Sequence, residues 1–148
     1  MVMSDRIALL RSGELEQVAS PREIYTRPAT AYTAQFIGHT NLLKADVGGG
    51  MATSGGLTWA VSAPDGPALF SLRPEAIRIA AGSAGAVRFM ARVRDQVFHG
   101  ANELWRVECA DGQILTLRIS SRPVTDEAVA FEFFPVDAVA VQPSEERL

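Results

Sequence analysis

Arginines are spaced in one stretch of this 148-residue chain as a binding strip would space them. In Val87-Arg88-Phe89-Met90-Ala91-Arg92-Val93-Arg94, the alternation places Arg88, Arg92 and Arg94 on one face of a strand. Val87, Phe89, Ala91 and Val93 take the other. Arg106 and Arg118 follow at adjacent cross-strand positions. A one-sided basic strip could hold an oxyanion or RNA. Glu103, Glu108 and Glu132 partly neutralise it, however, and few aromatic rings interleave with the arginines. A solvated strand face is the favoured reading. The net charge of −3 and a pI near 5.4 also count against phosphate-driven binding of nucleic acid.

Other chemistries lack their parts. Gly48-Gly49-Gly50-Met51 is not followed by the Lys and Ser/Thr of a phosphate loop, and reads as a hairpin loop. His39 and His99 are far apart, and Cys109 is the only cysteine, so neither a zinc set nor an internal disulfide is expected. Cys109 shares an apolar face with Trp105 and Val107, which makes it a packing residue. No nucleophile elbow occurs, and no carboxylates are paired for acid–base work. Catalysis by this chain alone is not expected, and neither is a cofactor. The composition, 47% apolar and 21% charged, suffices for a core. No apolar run approaches the length of a membrane span and no signal peptide is evident, so a soluble, cytosolic chain is expected.

The elements that must position these residues fall into two parts. Residues 1–38 begin with a hairpin, Ile7 to Leu10 and Leu15 to Val18 around Arg11-Ser12-Gly13-Glu14. Ser20-Pro21-Arg22-Glu23 is a helix start with a reciprocal capping box and proline at the first helical position. Pro28 ends that helix. A second helix is expected over Ala29 to Ile37, with Tyr32 and Phe36 on one face and Gly38 as a left-handed cap. Residues 39–148 read as seven or eight short strands: a small, closed or nearly closed β-barrel. There Phe131 and Phe133 share a core face, and Asp111-Gly112 turns a hairpin. Phe134 faces away and is a candidate interface anchor.

Three stretches in order resemble the C-terminal part of the ATP-binding subunits of ABC importers, in the polyamine, ferric iron and maltose branch. Ser4-Asp5-Arg6-Ile7 through Tyr25 and Pro28 is similar to the end of the nucleotide-binding domain. Phe36-Ile37-Gly38-His39-Thr40-Asn41 resembles the junction beyond it. Leu72-Arg73-Pro74-Glu75-Ala76-Ile77 resembles the "RPE" signature of the TOBE domain, an OB-like barrel. In Val97-Phe98-His99-Gly100, His99 departs from the apolar residue usual before the glycine, and Asp126-Glu127 stands where Gly-Asp is common.

The resemblance implies a non-catalytic regulatory and dimerisation module. ATP and magnesium would belong only to a full-length parent, located in the cytoplasm beside the membrane subunits. It implies a homodimer and no nucleic acid or membrane insertion. Tyr25, Tyr32, Phe36 and Phe134 are the candidate interface residues. The alternative is a barrel that senses a small ligand or oxyanion near Arg73, Glu75 and His99; an OB-like nucleic-acid binder is the weakest reading. The transported substrate is not specified. Arg73-Pro74-Glu75 itself reads first as a strand end and a proline-fixed turn. With their sheet neighbours absent, the first two strands are expected to be disordered, rearranged or paired with another chain.

Overall fold

The computed structural model describes residues 6–120 and 128–143. Strands β1 (Ile7–Arg11) and β2 (Glu14–Ala19) form an antiparallel hairpin, with Ile7 opposite Ala19 and Leu10 opposite Leu15. Ser12 and Gly13 both have positive φ, 52° and 82°, the signature of a tight two-residue turn whose twist matches the strands. The expected hairpin thus forms. Among the described residues it gains no third strand. One side is covered, burying Leu9 and Ala19, while Leu10, Leu15 and Val18 on the other are exposed.

Helix α1 (Pro21–Thr26) starts as its residues dictate. The Ser20 hydroxyl accepts from the Glu23 amide at 3.2 Å and donates to the Glu23 carboxylate at 3.0 Å, so that carboxylate meets the hydroxyl instead of the expected Ser20 amide. Helix α2 (Ala31–Ile37) is capped by Thr30, whose hydroxyl accepts from the Thr33 amide at 3.1 Å. It begins two residues later than expected, because Ala29 and Ala31 bond to Gln142 as a short parallel bridge. Gly38 does not form a left-handed cap: its φ of 177° is extended. The last carbonyls of α2 are bonded by a side chain instead.

The remainder is mainly β, as an OB-like barrel requires. Strands β3 (Asn41–Gly48), β4 (Met51–Ser54), β5 (Leu57–Ala60), β6 (Gly66–Leu72) and β12 (Ala138–Val141) form one curled sheet in the order β12-β6-β3-β4-β5. Strands β7 (Arg78–Ile79), β8 (Val87–His99), β9 (Asn102–Cys109), β10 (Ile114–Ser120) and β11 (Val129–Phe133) form the second, ordered β10-β9-β8-β11-β7. These two half-barrels carry ten strands among the described residues, more than the seven or eight expected, since Gly49 and Gly50 add a hairpin and β7 has only two residues. The sheets enclose one apolar core running from Leu43 to Ala138. Trp59 meets Phe70 and Phe133 edge-on, with ring centroids 5.3 and 5.9 Å apart. Phe131 and Phe133 are both fully buried, as the alternation implies.

Asn41 closes the seam between the sheets. Its side-chain amide donates to the Thr116 carbonyl and accepts from the Thr116 amide, both at 2.7 Å. Thr116 lies on β10, at the edge of the second sheet. An edge strand presents unpaired amides and carbonyls, and this one side chain satisfies both groups of Thr116.

Candidate functional site

Arg73 follows β6, and Pro74 starts a 3-10 turn over Pro74–Ala76. That turn aims the guanidinium away from the barrel core and into the helices. Arg73 donates to the Tyr25 carbonyl at 3.0 and 3.2 Å, to those of Ala34 and Gly38 at 2.9 Å, and to that of His39 at 3.2 Å. The last turns of helices carry carbonyls without intrahelical partners and a partial negative charge. A single cation thus caps both helices at once, which is why Gly38 needs no left-handed turn. The guanidinium also stacks on the Tyr25 ring, 4.4 Å from its centroid. It is buried, and burial lowers its pKa, opposed by Tyr25 and Glu75.

The Tyr25 hydroxyl donates to the Glu75 carboxylate. Burial raises the phenol's pKa, and the bond to Glu75 and that carboxylate's charge add to the rise. Glu75 in turn lies 3.9 Å from an Arg118 nitrogen on β10. A cleft of about 310 Å3 opens beside this chain of contacts, lined by Tyr25, Arg27, Arg73, Glu75, Val136 and Asp137 among others.

Of the residues singled out by sequence, Arg73 and Glu75 are brought together and joined by Tyr25. His99 stands on another element, at the end of β8 opposite Asn102. Tyr32 and Phe36 stack with centroids 5.7 Å apart, and the Arg11 guanidinium covers Tyr32. Phe36 is 62% exposed, whereas Phe134 is half-buried under the Arg78 guanidinium. Sequence reasoning missed the Tyr25–Glu75 link and the Asn41 staple, which join residues 50 and 75 positions apart. It also missed the exposed Val97 and Phe98 on the long β8–β9 hairpin, although an apolar pair just before a glycine turn was a usable signal.

Part of the arginine strip is ion-paired. Arg94 meets Glu108, Arg106 meets Asp95 at 3.2 Å, and a bulge at Arg94 shifts the register. Glu103 and Glu132 do not serve as neutralising surface charges; both are buried. Glu103 accepts from Gln96 and from the Trp105 indole at 3.0 and 3.1 Å. Cys109 is buried, and its thiol is pushed up to about 11, chiefly by burial and then by Asp111 and Glu108. The thiolate is the reactive form, so alkylation by iodoacetamide at pH 8 is expected to be at least ten-fold slower than for an unfolded control. Mass spectrometry checks this.

Residues 70–142 match the family model of the TOBE domain. This chain carries a TOBE domain. The Arg73 joint lies at the start of that TOBE domain, and the capped helices precede it. Among relatives, the chain is 38% identical over 129 residues to the spermidine/putrescine import ATP-binding protein PotA 1 of Pseudomonas aeruginosa, covering 80% of this chain and 35% of that protein. It is 37% identical over 133 residues to the sn-glycerol-3-phosphate import ATP-binding protein UgpC of Rhizobium meliloti, covering 87% and 38% respectively. The chain is thus similar to these import ATP-binding proteins and spans little more than a third of their length. The molybdate-bound cytoplasmic protein ModG shares the fold, with a TM-score of 0.56, 12% identity, and coverage of 70% of this chain and 96% of ModG. Among the described residues, no helix is long and apolar enough to cross a membrane.

Proposed function

We propose that the chain is a non-catalytic regulatory and dimerisation module of an ABC-importer ATP-binding subunit, working with membrane subunits at the cytoplasmic face. The observation that carries this reading is the half-covered hairpin. A two-stranded sheet is marginal alone, yet β1 and β2 expose Leu10, Leu15 and Val18. Their chain continues directly into helices that Arg73 fixes to the barrel. Such an arrangement suits a module that takes cover from an ATP-binding body and moves with it. Tethering two such bodies through paired barrels raises their effective concentration, so they re-engage without a diffusional search. Nearly equal identity to a polyamine importer subunit and a glycerol phosphate importer subunit ties the module to no transported substrate.

Sedimentation at rising concentration tests the pairing. A dimer is expected. Phe36→Glu should weaken it several-fold while leaving the melting temperature nearly unchanged, since exposed substitutions typically shift stability by less than about 0.5 kcal/mol. A strictly monomeric chain would exclude self-association. The oxyanion-sensing alternative has less support, because the hydrogen bonds of Arg73 run to four backbone carbonyls. Millimolar molybdate, sulfate or phosphate should therefore leave thermal unfolding unshifted, whereas a bound ligand would raise the midpoint.

A further inference from the structure

We propose that residues 6–40 are a separately opening unit, docked on the barrel through Arg73 as its key. This rests on the coupling role above only in supplying the joint that such a role needs.

Two independent observations carry the inference. First, the apolar core of the barrel runs from Leu43 to Ala138 and takes in no residue of the hairpin or helices. The buried apolar side chains of that segment, Leu9, Ala19, Ile24, Ala31 and Ala34, lie outside it. Second, a set of polar contacts joins the two parts: the Arg73 bonds to four carbonyls, the Tyr25–Glu75 bond, a Thr40–Ser71 hydroxyl pair at 2.6 Å, and two backbone bonds to Gln142 at 2.9 Å. Cooperative units of a native protein open separately where few apolar contacts join them.

Arg73 is the residue on which this docking depends. It reaches the ends of both helices and the ring of Tyr25 with one planar, permanently charged group. Lysine has a point charge and three donors on a flexible stem, and cannot span four carbonyls while stacking on a ring. Withdrawing the guanidinium leaves the last carbonyls of α1 and α2 without that cap. The expected result is a swing of hairpin and helices as one body, with the barrel still folded. Arg73 is thus a positioning residue: it sets how far motion in one part is transmitted to the other.

Amide hydrogen exchange on the full chain, resolved by NMR or mass spectrometry, tests this. In Arg73→Lys, amides bonded within or from the helices, such as those of Ile24, Arg27, Ala31 and Ala34, are expected to exchange at least ten-fold faster. Amides of β3, β6 and β9 should keep their wild-type rates. Tyr25→Leu, which removes the ring and the Glu75 bond but leaves the guanidinium, should speed the same helical amides by a smaller factor. If Arg73→Lys does not fold, selective acceleration in Tyr25→Leu still supports the joint. Acceleration of all amides together in either variant overturns it, as does a wild-type profile for Arg73→Lys. So does an unfolded Arg73→Lys beside an unaltered Tyr25→Leu. These outcomes concern the joint alone, whereas failure of the regulatory reading shows in sedimentation.

Discussion

Replacing Asn41 with leucine is expected to lower stability by about 3 kcal/mol, because it leaves the amide and carbonyl of Thr116 facing an apolar side chain. A buried polar group without a partner costs roughly 1 to 3 kcal/mol. Two such groups are stranded here, and the bond to the Leu72 carbonyl at 3.1 Å is lost as well. Leucine matches asparagine in side-chain heavy atoms and branching, so no cavity opens, and its bulkier methyl groups add crowding to the polar loss. For a domain of this size the midpoint of thermal unfolding should fall by roughly 10 °C. Asn41→Asp supplies the counter-test. Its carboxylate can still accept from the Thr116 amide but faces two carbonyls where the amide group donated. It should be destabilised at neutral pH and recover relative to wild type as pH falls, because the protonated acid can donate again. A loss under 1 kcal/mol for Asn41→Leu would show that the seam closes by apolar packing alone.

Short-range physics made much of this fold legible. The Ser20 cap needs only residues three apart, and the hairpin only its two turn residues. The alternation around Phe131 and Phe133 fixes their shared face within one strand. The TOBE signature at Arg73-Pro74-Glu75 was also visible, as was its structural role at a strand end. What the sequence could not display is where Arg73 points. Its partners lie 34 to 48 positions away, and all are backbone carbonyls, which carry no side-chain identity to read. Gly38 failed as a cap prediction for that reason: the local rule holds only where no distant cation takes over the carbonyls. Arg94 shows a similar limit. Period-two alternation placed it beside Arg88 and Arg92, but the bulge at that residue depends on its pairing with β9. Glu103 and Glu132 looked like surface charges because charged residues are rarely buried unless paired, and their partners, Trp105, Gln96 and Arg78, emerge only once the strands are folded.

Acid should act on this protein chiefly through Glu132, whose side chain is 2% exposed. Its carboxylate accepts from Arg78 at 2.8 Å and from the amides of Ala81 and Ser83 at 3.0 and 3.4 Å. These bonds favour the charged form. The Ser83 hydroxyl contributes most, burial opposes, and Arg78 with the two amides completes the balance, holding the pKa at about 2 against an ordinary 4.5. A group depressed in the folded state contributes stability that is full above its unfolded pKa and is lost as pH falls toward the folded one. The melting temperature of the wild type should therefore hold down to about pH 4.5 and then fall toward pH 2 by this group's contribution. Glu132→Gln keeps the shape, loses the charge, and turns an amide nitrogen toward one of the donors. It should melt several degrees lower at pH 7, and the gap to wild type should narrow steadily below pH 4.5. Calorimetry of both proteins between pH 7 and 2.5 measures that gap. Curves that stay parallel would mean that Glu132 keeps the same protonation in the folded and unfolded chains, and that the loop over Ala81 and Ser83 is held by its backbone instead of by the carboxylate.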